Sequence, residues 1–474
     1  MKRGVRRILA VTGVLSIGLA VAAVWFLAQA MPIGTGYVAK YLCTSTFLSK
    51  RDPQVVFVED IKPVNPLAKL VSWDIDTVNQ SVTATAFKVF QSKAIFRQGC
   101  GCTLLAGTTE ASLREQTFFK AGADVPPPSH PPAVPWPKGS AGAVDPATLG
   151  VDSIKLNQAL ADAFTEPGTD TLRQTRAVAV VYAGQLIAER YAPGFGPDMP
   201  LLGWSMSKSV TNALIGVLVH QGRVALGDPV PVAEWQAAND PRGKITLDQL
   251  MRMSSGLAFE EIYKPLADAT DMLYGSDDFA AFAAGQPLAA APDEKWVYSS
   301  GTANIIARIV RHAAEKQAVD YYRFINESLF NRIGMASAIM EPDPSGTVVG
   351  SSYTVATVRD WARFGLLYLQ DGVWDGRQVL PEGWVEYTTT PTPKAPKGEY
   401  GALFWLNAGE PGHPDNRLWP HAPLDAYAAQ GFQEQKVIVI PSKKLVLVRF
   451  GATSRRSAWD TDAFIADVIR ALPR

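Results

Sequence analysis

The chain has 474 residues, 47% of them apolar and 19% charged. Lys plus Arg and Asp plus Glu both total 45, which leaves no net field to draw the chain to nucleic acid or to an acidic surface. Five histidines and three cysteines exclude a cysteine-rich zinc scaffold, and the apolar content excludes general disorder.

The first residues carry Lys2, Arg3, Arg6 and Arg7, and no charge follows from Ile8 to Ala28. This is the n-region and h-region of a secretory signal, with Ala28-Gln29-Ala30 as a small-x-small cleavage site before Met31. Left uncleaved, an apolar run of about 20 residues spans a bilayer. Residues 1–30 therefore read as a signal peptide or a membrane anchor. The basic flank stays in the cytoplasm. The body is then exported, either periplasmic or anchored to the inner membrane, and touches the membrane only through this segment.

Residues 31–121 read as a small N-terminal module with short strands. Val82 to Phe87 alternates in a β-prone composition, and Ala94 to Arg97 supplies a partner. All three cysteines lie in this part of the chain, and exported cysteines tend to pair. Cys100 and Cys102 are too close in sequence for an easy mutual bond, so the expected disulfide joins Cys43 to Cys100 or Cys102. Residues 122–144 hold the run from Val125 to Pro137, rich in proline. It forms neither helix nor central strand and reads as a linker, or as a strap across the body.

The pattern from residue 145 to 474 is mixed. Ser153 to Phe164 predicts an amphipathic helix, and Ala177 to Tyr182 with Gln185 to Tyr191 predicts an antiparallel hairpin turning at Ala183-Gly184. Ser207 to Gln221 predicts a strong helix stopped by Gly222. A largely helical stretch follows to about residue 395. Lys436 to Ile440 and Leu445 to Phe450 predict a second hairpin, and Trp459 to Leu472 a last helix. Strands at both ends with helices between imply one antiparallel sheet built from distant segments, with a helical insertion.

The chemistry centres on Gly203-Trp204-Ser205-Met206-Ser207-Lys208. A spacing of three puts Ser205 and Lys208 one turn apart on one helix face. A serine hydroxyl needs a neighbour to take its proton, and a buried neutral lysine is able to do so. The helix N-terminus also offers free N–H groups to an oxyanion. Downstream, Tyr298 in Lys295-Trp296-Val297-Tyr298-Ser299-Ser300-Gly301 precedes another helix. A tyrosine beside a lysine is a competent proton acceptor. Near the C-terminus, Gln430-Gly431-Phe432 lets the backbone approach a ligand, and the next amide completes an oxyanion hole. The nearest rival is a Ser-His-Asp arrangement built on His421 and Asp425. It is disfavoured because Ser207 stands where a Gly-x-Ser-x-Gly elbow needs glycine.

These three stations in this order resemble the serine hydrolases of the β-lactamase and penicillin-binding fold. The branch they are most similar to is that of class C β-lactamase relatives, which includes 6-aminohexanoate-dimer hydrolase. Ile245 to Leu257 and Gly350 to Gly365 are similar to further segments of that family, so the likeness covers about residues 145–474. It implies an α+β fold: a β-lactamase-like antiparallel sheet flanked by helices, with an inserted all-α domain. It implies Ser205 as nucleophile, Lys208 and Tyr298 as the base pair, and the backbone amides of Ser205 and Phe432 as the oxyanion hole. Ser300, Gln430, Gly431 and Tyr263 are expected at the substrate, a small-molecule amide or ester. No metal or organic cofactor is implied. Ala429 replaces the third-motif lysine of β-lactamases and Ser300 replaces an asparagine. Both departures favour the amidase and esterase branch over β-lactamase or D,D-peptidase activity. The acidic and aromatic stretch Glu260, Glu261, Tyr263, Asp268, Asp271 and Tyr274 reads as a solvated loop, or as a pocket mouth that binds a substrate amine. A non-catalytic envelope binder is the rival from another class.

Overall fold

The computed structural model describes residues 2–64, 66–119, 126–169, 172–315 and 321–473. Residues 122–125, where the proline-rich segment begins, lie outside the described residues. The body is built on a six-stranded antiparallel sheet. Its order is Trp405–Leu406, Tyr427–Gly431, Gln435–Ile440, Leu445–Gly451, Thr175–Tyr182, Gln185–Tyr191. The last two strands turn at Ala183 and Gly184, both at positive φ (49° and 81°), the geometry that a two-residue hairpin requires.

Strand alternation divides two cores. Ala177, Ala179 and Val181 face one side with Val437, Val439, Val446 and Val448. Val178 and Val180 face the other with Ile438, Leu445 and Leu447, against the helices Ser153–Phe164 and Thr461–Ala471. The first core packs on the helices Met206–His220 and Val358–Leu369. Gly365 permits that contact, since a Cβ there would stand 2.5 Å from Val446 Cγ1. The insertion between the two sheet halves holds short helices and one long one, Ser300–Glu315. It is less continuously helical than the sequence suggests, because turns interrupt it at Gly256, Gly334 and the 341–353 loop.

One helix, Lys2–Phe47, forms the N-terminus. Its first half projects from the body. Val11, Val14, Leu15, Ile17, Leu19, Val21, Val24 and Trp25 are each between 56% and 73% exposed. By length and composition the helix is able to cross a membrane. Its second half is core: Ala30, Met31, Val38, Ala39 and Leu42 are buried. No helix end falls at Ala30, so the expected cleavage site lies within a continuous turn. The buried half packs on an antiparallel sheet of four strands, β1 (Val71–Asp76), β2 (Ser81–Ala86), β3 (Phe90–Arg97) and β4 (Gly101–Leu104). Of the two partners left open for Cys43, the structure joins Cys102, closing a sequence separation of 59. Cys100 is free, and burial pushes its thiol up to about 12.

Two buried carboxylates tie this module to the body. Glu341 forms an ion pair with Lys40 and accepts hydrogen bonds from Thr44 (2.9 Å) and the Cys102 amide (2.7 Å). Asp60 pairs with Arg51 and with Arg176 of the body (2.9 Å), and accepts from the Tyr41 hydroxyl (3.1 Å). The proline-rich segment is a strap rather than a free linker. Trp136 is buried, and Arg363 donates to the carbonyls of Pro137 and Gly139 at 2.9 Å each.

Removing one member of a buried ion pair leaves the other uncompensated, at about 3–5 kcal/mol. Glu341→Gln is expected to destabilise the protein by that order, and Lys40→Met combined with Glu341→Leu to recover most of it. Guanidinium denaturation of the detergent-solubilised full chain checks both, and simple additivity of the two substitutions contradicts the coupling.

Candidate active site

The segment before Ser205 is held in place by a neighbouring strand. Leu201–Leu202 pairs with Thr354–Ala356, and the Gly203 amide donates to Thr354 O at 2.8 Å. Trp204 takes φ +50°, a left-handed conformation that costs a non-glycine residue about 1 kcal/mol or more. That twist delivers Ser205 to the first turn of the helix Met206–His220. Ser207 stabilises it by donating to Trp204 O (2.7 Å) and accepting from the Thr354 amide (2.9 Å). The helix is buried on every side from Met206 to Leu218, not along one stripe as its apolar periodicity predicts.

Lys208 is 1% exposed. Its Nζ stands 3.3 Å from Ser205 Oγ and donates to Ser300 Oγ (3.0 Å) and Ser351 O (3.1 Å). Three oxygens thus surround Nζ: Ser205 Oγ, Ser300 Oγ and Ser351 O. Nζ also sits over the Tyr298 ring, 4.6 Å from its centroid. That ring is wedged against Trp405 and Tyr400, at 5.3 and 5.8 Å between centroids.

A carboxylate lies behind the lysine. Glu261 accepts from Ser300 Oγ (2.6 Å) and the Ser300 amide (2.7 Å), capping the start of the helix Ser300–Glu315. It also accepts from the Tyr263 hydroxyl (2.8 Å). Tyr263 is 56% exposed as a residue. Desolvation of its hydroxyl first, then the Glu261 charge, raises its pKa well above the usual phenol range. Ser300 is fully buried, so it serves Lys208 and Glu261 rather than the substrate. The acidic stretch does not form an amine site either: Glu261 is committed to Ser300 and Tyr263, and Glu260 pairs with Lys264.

The other expected residues separate. A Cβ on Gly431 would lie 2.1 Å from Gly203 O, so only glycine lets this strand end abut the nucleophile segment. Phe432 follows, edge-on to Trp204 at 5.6 Å. The Gln430 amide instead accepts from buried Lys436 (2.9 Å). His421 is exposed and bonded to Asp462, while Asp425 binds Ser442, so the rival triad is not assembled.

Above Ser205 opens a cavity of about 440 Å³, whose lining includes Trp204, Tyr263, Leu273 and Phe432. Part of its wall comes from the N-terminal helix, through Phe26, Ile33 and Tyr37. The sequence reading placed that helix outside the catalytic part. The available signals were Lys40 in an apolar helix and the Tyr37–Tyr41 spacing. Both tyrosines pack on Trp204, at 6.3 and 5.7 Å.

The sequence signature of the family described as Beta-lactamase matches residues 160–468. A 6-aminohexanoate-dimer hydrolase of Paenarthrobacter ureafaciens is 24% identical over 261 residues, covering 50% of this chain and 66% of that protein. The chain thus spans just under two thirds of the length of this curated relative. Among solved structures, a candidate 6-aminohexanoate-dimer hydrolase of Bacillus anthracis is 23% identical with a TM-score of 0.50, covering 67% of this chain and 83% of that one. A family VIII carboxylesterase is 14% identical with a TM-score of 0.53, covering 70% and 99%. At these identities the structural likenesses speak for the fold. The family signature spans well over half of the chain and takes in Ser205, Lys208, Tyr298 and Phe432, and the chain belongs to the beta-lactamase family.

Proposed function

We propose that this protein is an exported, membrane-anchored serine hydrolase that cleaves an amide or ester through an acyl-enzyme on Ser205. The observation that carries the reading is the buried Lys208 amine, 3.3 Å from Ser205 Oγ with its two other partners already assigned. The apolar helix and the cysteine pair support export, and the burial of Ala30 and Met31 favours retention of the helix as an anchor. The relatives named as amide and ester hydrolases agree with the reaction class.

Ser205 Oγ adds to the carbonyl carbon as its proton passes to Lys208. The oxyanion lies between the backbone amides of Ser205 and Phe432, which the tight contact of Gly431 with Gly203 draws together. Tyr298, beside Lys208, relays the proton to the departing amine or alcohol. Water then attacks the acyl-enzyme and releases the carboxylic acid. Ser300 and Glu261 hold Lys208 in place and touch no reacting atom.

A fluorophosphonate probe is expected to add once to the full chain, at Ser205, by intact mass and peptide mapping. Ser205→Ala and Lys208→Ala are expected to abolish labelling and to lower ester turnover by about three orders of magnitude or more. A folded wild type that takes no label sinks the reading and favours a binding protein. Tyr298→Phe is expected to lower kcat by about 10²–10⁴-fold while Ser205 remains labelled, and an unchanged kcat removes Tyr298 from the proton path.

A further inference from the structure

The cavity over Ser205 does not end at the body. On an α-helix, Phe26, Ile33 and Tyr37 lie within one narrow stripe, at i, i+7 and i+11. All three line the cavity, so its wall follows the N-terminal helix for about 16 Å, at 1.5 Å per residue. Its far end, Phe26, belongs to the stretch whose apolar side chains project free of the body, and its near end is the nucleophile. The helix passes from exposed to buried between Phe26 and Ala30. With the uncharged run Ile8–Ala28 in the bilayer, as the anchor reading has it, that passage lies at the membrane surface and the mouth of the cavity opens there.

The rim has the composition of a membrane interface. Tyr263 and Phe432 of the lining are 56% and 44% exposed, Lys264 lines the cavity with them, and Ile262 and Leu266, next to that stretch in sequence, are exposed as well (45% and 42%). Aromatic rings and a lysine with an apolar stem suit the headgroup region. Among the described lining residues, Lys264 alone carries a charge. Glu260 already pairs with Lys264 (3.3 Å), and the rest of the described lining is largely apolar or aromatic and suits a hydrocarbon chain.

We propose that the substrate is a membrane-resident acyl ester or amide, a lipid whose single acyl chain enters laterally from the bilayer. The chain lies between the N-terminal helix and the Leu273 wall, with its carbonyl at Ser205. This deepens the acyl-enzyme reading and rests on it. The bond from the acyl carbon to the headgroup oxygen or nitrogen breaks, and the headgroup leaves toward solvent as alcohol or amine, carrying the proton from Ser205. Water then returns the fatty acid to the membrane and restores the Ser205 hydroxyl.

The test uses the full chain in vesicles of phosphatidylethanolamine and phosphatidylglycerol. The expected result is a kcat/KM for p-nitrophenyl laurate at least about tenfold above that for p-nitrophenyl acetate, because each buried methylene adds favourable transfer energy. Ile33→Trp and Leu273→Trp, which fill the channel from opposite walls, are expected to cut that ratio by about tenfold or more. A variant that merely misfolds lowers both rates and leaves the ratio unchanged. A phospholipid with a diazirine in its acyl chain supplies a measurement on wild type alone: adducts are expected on residues 26–37 and 264–274. Fluorophosphonate labelling of Ser205 without laurate preference, or adducts confined to residues 11–25, overturns the lipid assignment and leaves the hydrolase standing. An unlabelled Ser205 overturns both.

Discussion

The rings stacked on Trp204 are the contact on which the site depends. This residue is held in a left-handed conformation one position before the nucleophile, and it does not stay there without surrounding packing. Tyr37 and Tyr41 cover it from the N-terminal helix, and Phe432 closes from the last sheet hairpin. The N-terminal helix, the start of the helix Met206–His220 and the strand end at Gly431 thus meet at one indole. The buried ion pairs at Glu341 and Asp60 keep the two tyrosines in register with it, since both join that N-terminal module to the body. Buried pairs of this kind contribute little net stability, but they penalise any other docking of the helix.

The same geometry solves the problem of a buried lysine. Nothing in the arrangement places a carboxylate on Nζ itself. Glu261 reaches Lys208 only through the Ser300 hydroxyl, which accepts from the amine and donates to the carboxylate. That hydroxyl orients Nζ and ties the helix Ser300–Glu315 to the helix Met206–His220. Replacing the usual asparagine by Ser300 fits this role, because one hydroxyl is able to accept and donate in a single line.

Much of the body was legible from the chain. The alternation at Ala177–Val181 and at Gln435–Ile440 marks strands covered on both faces, and the Ser205–Lys208 spacing marks a helix turn. What local pattern did not carry is long-range partnership. Nothing near Glu341 announces Lys40, 301 positions away, and nothing in the sequence places Glu261 against Ser300. An amine site was one reading of the acidic stretch because its charges look free until their partners arrive from other segments. The place of the N-terminal helix at the cavity was hidden for a related reason. Its apolar run satisfies a signal peptide and an anchor equally, and only the tertiary contacts of Ile33 and Tyr37 make it a wall of the cavity.

Loss of the third-motif lysine gains its meaning from that wall. Ala429 has no charge to offer, and Lys436, opposite Gln430 in the sheet register, is already bound to Gln430 and Glu434. Lys264, the one charged residue among the described lining, already pairs with Glu260, so the cavity discriminates mainly by shape and apolar contact. Such contact separates neighbouring homologues only weakly, by about 1–3 kcal/mol per methylene. Strict selectivity then has to come from where the site stands rather than from what lines it. With the N-terminal helix as the proposed anchor, a cavity whose mouth lies beside it meets lipids at high local concentration and water-soluble amides rarely. Position thereby supplies the discrimination that an apolar pocket lacks.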